Sequence, residues 1–293
     1  MILVTGANGQ AGSAVIREFA RDQVPVRALV RDRPKAQALA SLPGVELVEG
    51  DMTRPETLTN ALSGVDRVLV ISSSDDQMVR TQSAFVDAAK KAGVRDIVKL
   101  SGLKASLTSP FIFNRMHAEI ERHIESSGVA WAHLRPSQFM TEYLRELPTL
   151  VPQKAFFLPL EDVKLAPVDM EDIAKAAFAL LTTSGHEGKR YEMTGPEALS
   201  MTEIAEQISK AIDQTVRYVN IPPAARKQAL LAAGLPGYVV DALDVQASER
   251  RKRATGEAVV HPETHAAFGI RPTTFAEFAR RNAAVFRGEA VLT

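Results

Sequence analysis

Thr5-Gly6-Ala7-Asn8-Gly9-Gln10-Ala11-Gly12 follows the apolar run Ile2-Leu3-Val4 and leads into Ala14, Val15, Glu18 and Phe19 at helical spacing. The glycines fall as G-x-x-G-x-x-G between a strand and a helix, and that context gives each a physical task. Gly6 permits a tight turn, Gly9 lets the backbone approach a pyrophosphate, and Gly12 allows close helix–strand packing. Amides that open a helix have no intrahelical acceptor and lie at the positive end of its dipole, so they suit an anion. Asn8, Gln10 and Ala11 share the loop and are expected at the same phosphates.

Outward from this loop, short apolar runs alternate with helical patterns. Strands are predicted at 2–5, 26–30, 45–49, 68–71, 97–100 and 130–134, and helices at 11–21, 58–62, 81–92 and 116–127. Gly93 and Gly128 end the last two helices. Parallel strands need such crossovers, so the pattern predicts an α/β fold: a Rossmann-type doubly wound parallel sheet with a smaller, mostly helical C-terminal domain. Pro148, Pro152 and Pro159 mark a looser segment. A helix at 169–181 and a strand at 189–193 then resume the first pattern, and helices follow at 202–212, 224–233 and 275–282. Ser200-Met201-Thr202-Glu203 reads as a capping box. The expected division is a dinucleotide-binding domain over 1–140, completed by 165–195, and a substrate-side domain from 141–164 and 196–293.

Composition narrows the function classes. The chain has 293 residues, with 35 Lys plus Arg against 35 Asp plus Glu, so no global field attracts nucleic acid or an anionic membrane. The run Arg250-Arg251-Lys252-Arg253 reads as a solvated helix face. The absence of cysteine excludes disulfides, thiol nucleophiles, iron–sulfur clusters and cysteine zinc sites. Six scattered histidines argue for no metal site. With no leader pattern and no apolar run of spanning length, the expectation is a cytoplasmic protein, and a homo-oligomer is left open.

The end of the second strand reads Val30-Arg31-Asp32-Arg33. An acid there would bind the ribose 2′-hydroxyl of NAD, and an arginine the 2′-phosphate of NADP. Arg31 and Arg33 favour NADP(H), while Asp32 leaves NAD(H) acceptable. After the third strand, Asp51 is positioned to accept from an adenine amino group, with Met52 packing the ring. Ser72 and Ser73 end the fourth strand, where a dinucleotide would cross the sheet edge.

The glycine loop, Val30-Arg31-Asp32, Gly50-Asp51 and Leu134-Arg135-Pro136 resemble the atypical short-chain dehydrogenase/reductases, in their NmrA-like branch. Ser109-Pro110, His117-x-x-x-Glu121 and Ser127-Gly128-Val129 are similar to the NADPH-dependent quinone oxidoreductases, triphenylmethane reductases and NAD(P)H azoreductases. The resemblance implies the fold, a nicotinamide cofactor, and Pro136 beside it. Short-chain dehydrogenases of the usual kind carry Tyr-x-x-x-Lys, whose tyrosine moves a proton and whose lysine holds the nicotinamide ribose. Counting back from Ser127-Gly128, those positions hold Phe113 and His117. Phe113 has no proton to give, and His117 is the candidate for the ribose hydrogen bond.

A site without that acid favours acceptors whose conjugated system takes hydride readily, such as quinones and azo compounds, with water supplying the proton. Phe111, Phe113, Phe139, Met140 and Tyr143 are expected to form a flat apolar pocket for a small aromatic or conjugated substrate. No flavin and no metal are needed for this chemistry. The missing acid also suits a second expectation, an NADP(H)-sensing regulatory protein with little turnover.

Overall fold

The computed structural model describes residues 1–290. Its strands are β1 (Ile2–Val4), β2 (Val26–Val30), β3 (Val45–Glu49), β4 (Arg67–Val70), β5 (Asp96–Leu100), β6 (Ala130–Pro136), β7 (Ala155–Leu158), β8 (Lys164–Leu165), β9 (Lys189–Met193), β10 (Leu199–Ser200) and β11 (Arg217–Asn220). The helices of the first half are α1 (Gln10–Arg21), α2 (Gln37–Ala40), α3 (Thr59–Leu62), α4 (Met78–Lys91) and α5 (Ile112–Ser126). Those of the second are α6 (Leu147–Gln153), α7 (Met170–Thr182), α8 (Met201–Ile212), α9 (Pro223–Ala232), α10 (Gly237–Arg251), α11 (Glu263–Ala267), α12 (Phe275–Arg281) and α13 (Ala283–Arg287).

Seven strands form one sheet in the order β3-β2-β1-β4-β5-β6-β9, and every pair is parallel. Strand order reverses at β1, so a crevice opens between the C-terminal ends of β1 and β4. The strands are apolar because helices cover both faces. On one face, Val4, Leu69, Val98 and Leu134 pack under α1 and α7, where Phe19 meets Phe178 edge-on at 4.8 Å. Full burial of a ring such as Phe19 contributes about 1.5–3 kcal/mol. On the other face, Leu3, Val68, Val70 and Ile97 pack under α3, α4 and α5.

A separate core unites α6, α8, α12 and α13 with β7, which pairs with β11. Both capping boxes lie here: Ser200 and Glu203 open α8, and Thr274 and Glu277 open α12. Strands β7 and β11 and helix α10 carry no clear periodicity in sequence and were not expected. Helix α5 starts at Ile112 rather than at 116, which places Phe113 and His117 on one helix.

The basic run corrects one expectation. Arg250 is buried against Glu257, Arg251 donates to the Pro159 carbonyl, Lys252 pairs with Glu249 and Arg253 with Asp162. Arg250, Arg251 and Arg253 thus contact other segments, whereas the Lys252 pair is local and Lys252 and Arg253 stay exposed, so the solvated reading fails at Arg250 and holds for the end of the run. Among the described residues no helix is long and apolar enough to cross a membrane.

Gly12 is the tightest position of the loop. A Cβ there would stand 2.2 Å from the Gly6 carbonyl oxygen, a backbone atom that cannot swing away. Gly12→Ala is therefore expected to cost about 3 kcal/mol or more. Thermal unfolding with and without cofactor checks this, because the loss must already be present in the free protein.

Candidate active site

The parallel register brings the ends of β1, β2, β3, β4, β5 and β6 to one edge. The candidate residues follow those ends: Gly6 to Gly12 after β1, Arg31 and Arg33 after β2, Asp51 and Met52 after β3, and Ser72 and Ser73 after β4. Pro136 closes β6.

The loop has the shape of an anion cradle. Gly6 adopts φ +59°, and a Cβ on it would meet the Ile71 carbonyl oxygen at 3.0 Å. The Gly9 amide donates to the Gly6 carbonyl at 2.9 Å, which closes the turn. Gly9 is the N-cap of α1 and has no side chain to satisfy the first amides. Those amides face outward at the positive end of the helix, and a Cβ on Gly6 or Gly12 would crowd the cradle. The residues present fit a dinucleotide pyrophosphate. Asn8 and Gln10 are exposed beside it, and the Gln10 amide oxygen accepts from Thr141 of the second unit at 3.3 Å.

The charges after β2 divide their work. Asp32 pairs with Lys35 at 3.3 Å, and Arg33 donates to the Leu47 carbonyl at 2.7 Å. Arg31 is exposed and makes no ion pair among the described residues. The third group, after β3, departs from expectation. Asp51 Oδ1 accepts from the Thr53 amide and hydroxyl at 2.9 and 2.8 Å, so the carboxylate anchors its own turn. Its pKa is lowered although burial opposes this, because the Thr53 bonds and Arg54 favour the anion. Only Oδ2, 3.4 Å from Arg54, is left for an adenine. Met52 is buried in the core below rather than standing free.

The expected aromatic pocket splits. Phe111 and Phe113 stay half-buried at the start of α5, edge to face at 5.5 Å, and Phe139 is half-buried against the core under α1 and α7. Met140 and Tyr143 are corrections. They are 1% and 2% exposed and belong to the core of the second unit. The Tyr143 ring packs on Phe275 at 5.2 Å, its hydroxyl meets the Met201 sulfur, and burial pushes its phenol above the ordinary range. The 3-10 turn over 140–146 rotates both residues inward, which residue type could not indicate.

Sequence reasoning missed Lys99. It is fully buried in β5, with Nζ 3.0 Å from Gln82 Oε1, 3.1 Å from the Leu100 carbonyl and 3.2 Å from His117 Nδ1. Gln82 Nε2 in turn donates to Ser72 Oγ at 2.9 Å. The chain Ser72–Gln82–Lys99–His117 thus runs along the edge where the cofactor residues end. Desolvation drives the Lys99 pKa down to about 7, against the attraction of Glu121. Burial, then the charges of Lys99 and Arg135, hold the His117 ring well below its ordinary value. A lysine inside Ile97-Val98-Lys99-Leu100, a strand expected to be covered on both faces, was the available signal.

Below this chain, Glu121, Glu125 and His133 have ligand atoms within 4.8 Å of one another. Arg135 grips Glu121 with two nitrogens and Arg190 pairs with Glu125. Two guanidinium groups already neutralise these carboxylates, so the cluster is an ion-pair network tying α5 to β6 and β9. Desolvation lowers the His133 pKa to about 3, which keeps that ring neutral.

The fold and this edge define a nucleotide-binding α/β protein, and the comparisons name its family. Residues 1–279 match the NmrA-like family, and the chain belongs to it. It is 37% identical over 287 residues to the NAD(P)H azoreductase of Xenophilus azovorans, covering 98% of this chain and 99% of that one. The NADPH-dependent quinone oxidoreductase of Escherichia coli, solved with NADPH, superimposes with a TM-score of 0.86 at 34% identity, over 96% of this chain and 99% of that chain. The triphenylmethane reductase of Citrobacter sp. in complex with NADP(H) gives 0.84 at 27% identity, over 97% of this chain and all of that one.

Proposed function

We propose that the protein is an NAD(P)H-dependent reductase that passes hydride to a conjugated acceptor such as a quinone or an azo compound. The observation that carries this reading is the uncapped N-terminus of α1 at the strand-order reversal, shaped by three glycines for a pyrophosphate. Relatives of nearly the same length named as azoreductase and quinone oxidoreductase support it. When bound, the nicotinamide supplies the hydride. The chain's residues do the rest: the α1 amides hold the pyrophosphate, Arg31 takes the 2′-phosphate and favours NADP(H) over NAD(H), and Phe111, Phe113 and Phe139 offer flat apolar surface to the acceptor. Tyr143 is buried away from this edge and cannot replace the acid missing at Phe113. Balanced charge and the lack of cysteine support a small-molecule reductase of the cytoplasm rather than a nucleic-acid partner.

The purified protein is expected to oxidise NADPH with benzoquinones and azo dyes, and to leave simple ketones untouched. Saturable NADPH binding with no oxidation by any conjugated acceptor would instead make it a redox sensor.

A further inference from the structure

An ammonium group has three N–H bonds, and Lys99 Nζ has three neighbours placed to receive them. Two are carbonyl oxygens, on Gln82 and Leu100, and can only accept. The Gln82 amide is oriented by its own donation to Ser72, which turns its oxygen toward Lys99. The third neighbour is His117 Nδ1, which must therefore accept, so the ring proton resides on Nε2. Nε2 has no protein partner among the described residues. The ring lies against Gly102, just past the end of β5, where a Cβ would stand 3.2 Å from His117 Cδ2 and 3.7 Å from Nε2. The Nε2–H bond is thus a free donor at the sheet edge, backed by a buried cation.

We propose that Lys99 and His117 together form the proton source that replaces the absent tyrosine. This rests on the reductase reading. After hydride reaches a quinone, the pair of electrons left on its oxygen takes the Nε2 proton. As that proton leaves, Nδ1 takes one from the Lys99 ammonium, which becomes a neutral amine, so the ring stays neutral and ends as the Nδ1–H tautomer. After the product leaves, Nε2 takes a proton from solvent and Nδ1 returns its proton to the buried Lys99 amine, which restores the ammonium and the Nε2–H ring. The N–H that the motif spacing assigned to the nicotinamide ribose is, with an ammonium behind it, an acid. His117 is the residue that would touch the acceptor, and Lys99 is its positioning and proton-supplying partner.

The surroundings suit the step. A Lys99 pKa near 7 lets the ammonium release its proton at neutral pH, and the depressed His117 value keeps imidazolium from accumulating. The ionisable groups that face the pair are Glu121 from α5 and His133 and Arg135 from β6; α4 contributes the neutral Gln82. Glu121 favours the ammonium but is itself held by Arg135, and His133 is neutral. As pH rises through about 7, Lys99 loses its proton and the relay is emptied, so proton-requiring turnover falls.

A cationic triarylmethane dye separates proton supply from hydride transfer, because hydride added to a carbocation gives a neutral product with no proton. At saturating NADPH, single-turnover rates on a benzoquinone and on such a dye are compared for wild type, Lys99→Met and His117→Gln. The ratio of quinone rate to dye rate is expected to fall about 100-fold in both variants, within the range of general acid catalysis. In wild type the ratio should fall as pH passes through about 7. In the cofactor-free protein, long-range ¹H–¹⁵N spectra should show His117 as the Nε2–H tautomer, and Lys99→Met should release it. If Lys99→Met does not fold, His117→Gln keeps an amide where the ring stood and carries the rate test. An unchanged ratio in the variants, or an Nδ1–H ring in wild type, overturns the proton source alone. Wild-type inactivity on both acceptors overturns the reductase reading beneath it.

Discussion

Gly9→Val is expected to abolish measurable binding of both NADPH and NADH in a chain that still folds. The Gly9 backbone has φ −81°, which any residue adopts, and a Cβ there would lie 3.2 Å from the Gly6 carbonyl oxygen. That contact requires a shift of a few tenths of an ångström, unlike the 2.2 Å clash at Gly12. The two methyl groups of valine would instead occupy the space before the free α1 amides, where the pyrophosphate must sit. Calorimetric titration beside circular dichroism reads both halves of the expectation. A folded variant with unchanged titration would move the cofactor away from this loop.

Arg31→Ala is expected to weaken NADPH binding by roughly ten- to a hundredfold and to leave NADH within about twofold. A charge-assisted bond to a phosphate contributes about 1.5–3 kcal/mol, which converts to that range. Among the described residues after β2, Arg31 is the cation free to act, because Arg33 is bound to Leu47 and Lys35 is paired with Asp32. Equal weakening of the two cofactors would show that Arg31 touches a part they share.

How much of the fold and the site is legible in the sequence depends on the range of the contacts. The glycine loop is local: its turn, its uncapped helix and its place after β1 follow from eight consecutive residues. The alternation of strands and crossover helices is nearly as local, and the parallel sheet follows from it. Lys99 is different. Its burial and its three acceptors come from α4, β5 and α5 packed together, so only its presence in an apolar strand hinted at a role. Met140 and Tyr143 illustrate the converse. Aromatic and flexible residues beside a cleft suggest a pocket, but a 3-10 turn determines which way they point, and here it points them into the second core. Arg250 looked solvated for the same reason, since Glu257 reaches it only through the tertiary fold.

The late arrival of β9 bears on how the chain is made. β9 is the parallel neighbour of β6, with Pro136 opposite Met193, yet the chain leaves the sheet after Pro136 and returns at Lys189. In the interval it lays down β7, which later pairs with β11, and β8, which later pairs with β10. During synthesis, the growing sheet therefore emerges with β6 as a bare edge, and loop-closure entropy must be met before β9 can cover it. An open edge of this kind recruits other strands. A fragment ending before Lys189 would carry the whole glycine loop and still be prone to aggregate.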